Sequence, residues 1–313
     1  MPASAAGPVP LVVKGARKTY GTVKALDGAG FDVRAGELLG LLGPNGAGKT
    51  TVIRAIAGRL QLDAGTIELF GRPLAPRDPR PEIGVVPQEL AVYPRLTARE
   101  NLEVFGALYG VPDAALTARV DWALRWSDLA DRARDRVEQF SGGMRRRLNI
   151  ACSLLHEPKI VLLDEPTVGV DPQSRERIYE MLGALRQAGV SIVLTTHHLE
   201  EAEQRCDRIV IIDHGRIVAA GSLASLLQQV AGPSRLVEIR LRGTWPEGRA
   251  MPPGLALSDD RRLVRGDVRN VASDLPAMLD AIARAGGEID DLALRGATLH
   301  DAFIALTGRE LRE

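Results

Sequence analysis

Between about Leu11 and Gly221 short apolar runs alternate with amphipathic stretches. Three of the runs, ELLGLLG (37–43), KIVLLDE (159–165) and VSIVLTTH (190–197), are apolar at successive positions rather than at every second one. A strand that is apolar on both faces must be covered on both, so the pattern predicts buried parallel strands. Between the second and third runs, SRERIYEMLGALRQAG places Ile178, Met181, Leu182 and Leu185 on one helical stripe and ends at Gly189, a residue suited to a helix C-terminus. Strand, helix and strand in that order predict an α/β fold.

Farther on the pattern changes. DRIVIIDHGRIVAAG (207–221) reads as a hairpin turning at Asp213-His214-Gly215, and VAGPSR (230–235) marks a boundary. Beyond it Val237, Ile239 and Leu241 alternate with charged residues, as in a half-buried strand. Leu275, Met278, Leu279 and Ile282 fall on one helical face, and Thr298 with Asp301 forms a capping-box pattern ahead of Leu299, Phe303 and Leu306. The expected organisation is a disordered segment at 1–10, a main α/β domain at 11–230 and a small α+β domain at 231–313.

Composition narrows the partners. Lys plus Arg and Asp plus Glu both number 40, and the tail from 231 carries 12 Arg against 13 acidic residues. Neither part offers the basic surface of a nucleic-acid binder, so no nucleic acid is expected as a partner. Cys152 and Cys206 lack the spacing of a disulfide framework or a zinc site, which points to a reducing cytosol. MPASAAGPVP has no basic and apolar leader pattern, and no run approaches the roughly 18 apolar residues of a membrane span.

Chemistry enters at Gly43-Pro44-Asn45-Gly46-Ala47-Gly48-Lys49-Thr50, which fits the GxxxxGK[ST] phosphate loop in full, after a buried strand and before the helical VIRAIAGRL. Glycines let backbone N–H groups wrap phosphate oxygens, and the helix N-terminus adds positive potential. Lys49 is expected to reach the β and γ phosphates, the Thr50 hydroxyl to ligate Mg²⁺, and Thr51 to support the α-phosphate. Only five lysines occur in this Arg-biased chain, and one of them falls here. The metal's acidic partner belongs at the end of a neighbouring apolar strand, where Asp164 stands. Glu165, next to it, is placed to accept a proton from, or to orient, the water attacking the γ-phosphate.

A second glycine-rich segment, FSGGMRRRLNI (140–150), opens another helix. Met144, Leu148, Cys152 and Leu155 form its apolar stripe, which predicts that Arg145, Arg146 and Arg147 lie on a solvated surface. Read together, the phosphate loop, Gln88 in VVPQ, Ser141-Gly142-Gly143, LLDEP and His197 in TTHHLEEAE resemble the ATP-binding subunits of ABC transporters over nearly all of 11–221. The resemblance implies an ABC-type P-loop fold with an antiparallel β subdomain and a helical subdomain at about 89–158. It also implies that Ser141, Gly142 and Gly143 cap an ATP held by the phosphate loop of a second copy, giving a head-to-tail homodimer with two ATP and Mg²⁺ sandwiched between the copies.

Other roles follow from the same resemblance. Tyr20 would stack on adenine, Gln88 would reach the Mg²⁺ and the attacking water, and His197 would contact the γ-phosphate. Asp171 would cross the dimer interface, and Glu165 would carry the proton chemistry. SGGMRRRL, DEPTVGVDPQSR, LTARENLEVFGALYGVP and the ending LTGRELRE are similar to ATPases paired with a separate ABC-2-type permease, a group rich in drug and antibiotic exporters. The expected protein is therefore a cytoplasmic ATPase, peripheral on the inner face of the membrane through its permease, with Tyr93, Pro94 and Leu96 near the coupling contact. An uptake ATPase and a soluble ATPase acting on ribosomes or DNA are the alternatives.

Overall fold

The computed structural model describes residues 9–231, 235–296 and 298–308. They divide into two compact units, with the break between Ser222 and Leu223. The first unit begins with β1 (Leu11–Tyr20), β2 (Val23–Val33) and β3 (Leu38–Leu42), followed by α1 (Lys49–Ile56). Next come β4 (Ala64–Leu69), β5 (Arg72–Pro73) and β6 (Ile83–Val86), then three helices, α2 (Ala98–Leu108), α3 (Asp113–Trp126) and α4 (Gly142–Cys152). It closes with β7 (Ile160–Asp164), α5 (Pro172–Gln187), β8 (Ser191–Thr196), α6 (Leu199–Arg205), β9 (Arg208–Asp213) and β10 (Arg216–Gly221).

The three expected buried strands are β3, β7 and β8, central members of a six-stranded sheet ordered β10-β9-β3-β8-β7-β6. All pairs are parallel except the β9–β10 hairpin at the edge. Alternation then sorts each strand's apolar side chains between two cores. Leu39, Leu41, Ile160, Leu162 and Val193 pack with Val52, Ile53 and Ile56 of α1 on one face. Leu38, Val161, Leu163, Ile192 and Leu194 pack with Ile178, Leu182 and Leu185 of α5 on the other.

Against the α1 face lies an antiparallel sheet, β2-β1-β4-β5, whose Leu11, Val13, Leu26, Phe31, Ile67 and Leu69 join the same core. The helices α2, α3 and α4 form a cluster around Leu102, Val120, Leu124, Phe140 and Leu148. Thr97 and Glu100 close a full capping box at the start of α2, satisfying its otherwise orphaned N–H groups.

The second unit comprises α7 (Leu223–Ala231), β11 (Arg235–Leu241), β12 (Leu255–Leu257), β13 (Leu263–Val268), α8 (Val271–Arg284), β14 (Ile289–Arg295) and α9 (Leu299–Thr307). Its antiparallel sheet runs β12-β13-β11-β14, and Val237, Ile239, Leu241, Trp245, Val264 and Ile282 make its core. The capping box of Thr298 and Asp301 opens α9, and α7 packs on α9, which places the start of this unit ahead of VAGPSR. Residues 232–234 of that stretch, and residues 1–8 of the expected disordered segment, lie outside the described residues. Pro10, the last residue of that segment, is buried, and its carbonyl accepts a hydrogen bond from the Phe70 N–H.

Close packing of α6 on β3 depends on Gly40. A Cβ built there would stand 2.7 Å from Cys206 Sγ and 3.3 Å from Cys206 Cβ. Burial pushes the Cys206 thiol up to about 12, so it acts as a small apolar group rather than a reactive one. Gly40→Ala is expected to lower unfolding free energy by about 1–3 kcal/mol through overpacking. In urea denaturation, Cys206→Ala should recover most of that loss in the double variant, whereas strictly additive losses would show that the thiol is not what the methyl meets.

Candidate functional site

The phosphate loop, 43–50, leaves the carboxyl end of β3 and turns into α1. Two of its glycines are required by how closely the backbone approaches its neighbours. A Cβ on Gly43 would lie 2.2 Å from the Ile212 carbonyl oxygen, and one on Gly48, whose φ is +110°, would lie 2.5 Å from that of Ala25. Ala47 is buried, and its carbonyl accepts from the Gly215 N–H at the β9–β10 turn, which ties the loop to the sheet edge. Pro44, Asn45, Gly46, Gly48, Lys49, Thr50 and Thr51 line a cavity of about 480 Å³.

Three other strand ends contribute the opposite wall of that cavity. Gln88 follows β6, Glu165 follows β7 and His197 follows β8, and all three line it. Their polar atoms converge on one carboxylate. Gln88 Nε2 donates to Glu165 Oε2 at 3.1 Å, His197 Nδ1 lies 3.1 Å from Glu165 Oε1, and Lys49 Nζ lies 3.5 Å from the same oxygen. Lys49 also donates to the Gly43 and Pro44 carbonyls at 2.7 and 3.2 Å. Burial lowers the Lys49 pKa, and the neighbouring Glu165 and Asp164 charges oppose that shift.

Glu165 has a backbone φ of +47°, in the left-handed region that costs a non-glycine residue about 1–3 kcal/mol and persists only where the surroundings enforce it. Two groups hold it. The Glu165 N–H donates to Thr195 Oγ1 at 3.0 Å, and Thr195 Oγ1 in turn donates to Asp164 Oδ1 at 2.7 Å. On the other side the Glu165 carbonyl accepts from Arg146 Nη2 at 2.7 Å.

That contact corrects the expectation of a solvated arginine triplet. Arg146 is 3% exposed, and its guanidinium also donates to the Pro166 carbonyl at 2.7 Å and the Pro87 carbonyl at 2.9 Å. Arg145 donates to the Val137 and Glu138 carbonyls, and Arg147 to those of Ser127 and Asp128. The apolar stripe of α4 marks only one edge of its buried face, which also includes Gly143, Arg146, Asn149 and Ile150. A guanidinium can enter such a face because its fork of donors meets several carbonyls at once. Sequence reasoning also missed Thr195, and Glu201, whose buried carboxylate accepts from Thr167 and from Thr196. The only sequence signal for Arg146 was a run of polar residues where helix periodicity demands burial.

Ser141, Gly142 and Gly143 do not reach this cavity. Ser141 caps α4, accepting from the Met144 N–H, and lines a separate depression with Met144, Gln173, Ser174 and Arg177. Asp171 caps α5 in the same way through the Ser174 N–H. A Cβ on Gly143 would lie 2.1 Å from Ser174 Oγ, so packing against α5 alone already demands glycine there, whereas one on Gly142 would meet only the Gly169 carbonyl oxygen, at an ordinary 4.0 Å. Tyr20, at the end of β1, is 48% exposed and stands apart from the cavity lining. His198 rests against the His197 ring at 4.2 Å.

Among the described residues no group of three or more His, Cys, Asp or Glu is arranged to hold a metal ion. Thr50 and Gln88 line the cavity, whereas Asp164 is buried at the end of β7, outside that lining, with its Oδ1 accepting from Thr195; hydroxyl, amide and carboxylate oxygens of this kind would suit Mg²⁺ completing its shell with phosphate and water. Among the same residues no helix is long and apolar enough to cross a membrane.

The family model described as "ABC transporter" matches residues 26–168. Daunorubicin resistance ATP-binding protein DrrA3 of Streptomyces coeruleorubidus is 41% identical over 96% of this chain and 97% of its own length. Linearmycin resistance ATP-binding protein LnrL of Bacillus subtilis is 36% identical over 95% of this chain and 98% of its own. Nod factor export ATP-binding protein I of Ralstonia nicotianae is 39% identical over 100% and 98%. Among solved structures, an ATP binding subunit of an ABC transporter superposes with a TM-score of 0.64 at 33% identity, over 71% of this chain and 93% of that one. A dimeric ATP-binding cassette, MJ0796, bound to ADP and Pi, gives a TM-score of 0.62 at 27% identity over 68% and 98%. With its phosphate loop, its strand-end acidic pair and full-length relatives in hand, the chain belongs to the ATP-binding subunits of ABC transporters, ATPases that act with a membrane permease.

Proposed function

We propose that this subunit hydrolyses ATP to drive export of a small molecule, a drug, an antibiotic or a lipid-like compound, through a separate ABC-2-type permease. The observation that carries the reading is the convergence of Lys49, Gln88 and His197 on the Glu165 carboxylate inside the phosphate-loop cavity. Export is supported by full-length similarity to relatives named for resistance and for export. The chain would lie peripherally on the inner membrane face, held there by the permease.

In this reading the loop N–H groups and Lys49 bind the phosphates, and Tyr20 stacks on the adenine. Lys49 turns from Glu165 to the phosphate oxygens, which leaves the carboxylate to a water. Glu165 accepts that water's proton as the oxygen bonds to the γ-phosphorus and the bond to the β–γ bridging oxygen breaks, giving ADP and phosphate. His197 and Gln88 orient the carboxylate and the water. Thr50, Gln88 and Asp164 would hold Mg²⁺, which neutralises charge on the β and γ phosphates. Ser141, Gly142, Gly143 and Asp171 act on the ATP of a second copy in a head-to-tail dimer.

Glu165→Gln should lower the rate of ATP hydrolysis by about 10²-fold or more while retaining ATP binding, because the amide cannot accept the proton. Full turnover in that variant would remove Glu165 from the role. For transport, co-purification with a cognate ABC-2-type permease should yield a complex in nanodiscs whose ATP-dependent efflux is lost in Glu165→Gln. Failure of the two proteins to associate, with and without ATP, would overturn the export reading.

A further inference from the structure

Arg146 is the only member of the arginine run whose guanidinium reaches backbone on both sides of the phosphate-loop cavity's acidic wall. Nη1 donates to Pro87, the residue immediately before Gln88. Nη2 and Nε donate to Glu165 and Pro166, on and after the residue with the left-handed backbone. From the next turn of the same helix, Asn149 Oδ1 accepts from the Ala91 N–H at 3.0 Å. Gln88 therefore sits in a short loop pinned by α4 at both ends, and Glu165 in a turn pinned by α4 on its carbonyl side.

We propose that Arg146 is a positioning residue for ATP hydrolysis, whose buried guanidinium sets the backbone that aims both Gln88 and the Glu165 carboxylate. This rests on the roles given to those two residues above. Three acceptors lie around one planar fork, each within hydrogen-bond distance of a different nitrogen. A lysine brings the same charge but a single nitrogen, so it cannot hold the three carbonyls at their separate positions. Ser141 caps the helix that carries Arg146, so the segment assigned to the partner's ATP and the loops of the chain's own site belong to one hydrogen-bonded body.

The test is Arg146→Lys, with Arg146→Met as the variant that keeps the stem and removes every donor. In the nucleotide-free full-length chain, amide hydrogen exchange at 87–91 and 165–168 should rise about tenfold in Arg146→Lys, with 43–51 unchanged. ATP hydrolysis should show kcat lowered by about 10- to 100-fold, with KM within about threefold of the parent, and Arg146→Met should be worse than Arg146→Lys. Parent-like exchange and kcat in Arg146→Lys would overturn the proposal, as would a uniform rise in exchange across the whole first unit. If Arg146→Met does not fold, Arg146→Lys decides; if neither folds, Arg146 is a folding determinant and the proposal fails. Glu165→Gln measured alongside separates the two readings. An active Glu165→Gln strikes the catalytic assignment, whereas an inactive one beside an unaffected Arg146→Lys strikes this proposal alone.

Discussion

Parallel pairing holds the carboxyl ends of β3, β8, β7 and β6 level with one another: Leu42 lies opposite Thr196, Thr195 opposite Asp164, and Leu163 opposite Val86. The consequence is spatial. The phosphate loop, His197, Glu165 and Gln88, spread over some 150 residues of sequence, all emerge at one edge of one sheet. A slip of a single residue in any of these pairings would exchange the two faces of that strand, undoing both cores and turning its terminal side chain away from the cavity. The apolar layers of α1 and α5 thus fix the register, and the register assembles the cavity.

Pairing alone does not account for Glu165, which leaves the sheet with its backbone in the left-handed region. Its N–H is held by Thr195 on the neighbouring strand, and its carbonyl by Arg146 from the helical subdomain. The strain at this residue is therefore stored between the sheet and α4. Ser141 caps α4, which packs through Gly143 against Ser174 of α5, and the same helix is hydrogen-bonded through Arg146 and Asn149 to the loops carrying Gln88 and Glu165. In the proposed dimer, ATP bound by one copy and closure of the other copy's α4 would act on the same set of hydrogen bonds.

Much of this was legible from local patterns. The phosphate loop, LLDEP and the doubly apolar strands each state their environment within a few residues, so β3 with α1, β7 with α5, and β8 could be placed. So could α9, because Thr298 and Asp301 carry the chemistry of its first turn. The antiparallel sheet was not located strand by strand: β1 and β2 carry Lys14, Arg17, Lys18 and Lys24 and three glycines, and their alternation is broken by register shifts. Arg146 was misplaced because an apolar stripe identifies only the face buried among side chains. The face of α4 buried against carbonyls is polar, and nothing within the helix itself names its distant acceptors at 87, 165 and 166. The start of the second unit followed α7 rather than the Pro and Gly of VAGPSR, since helix packing on α9 outweighs a local turn signal.

In the proposed dimer the phosphate loop of one copy and the Ser141 segment of another share each ATP. Light scattering of Glu165→Gln with and without MgATP tests this most directly. A shift from the monomer mass of about 34 kDa to twice that value on adding MgATP is the predicted result. A mass that stays monomeric at saturating MgATP, both for the chain alone and with its permease present, would contradict it.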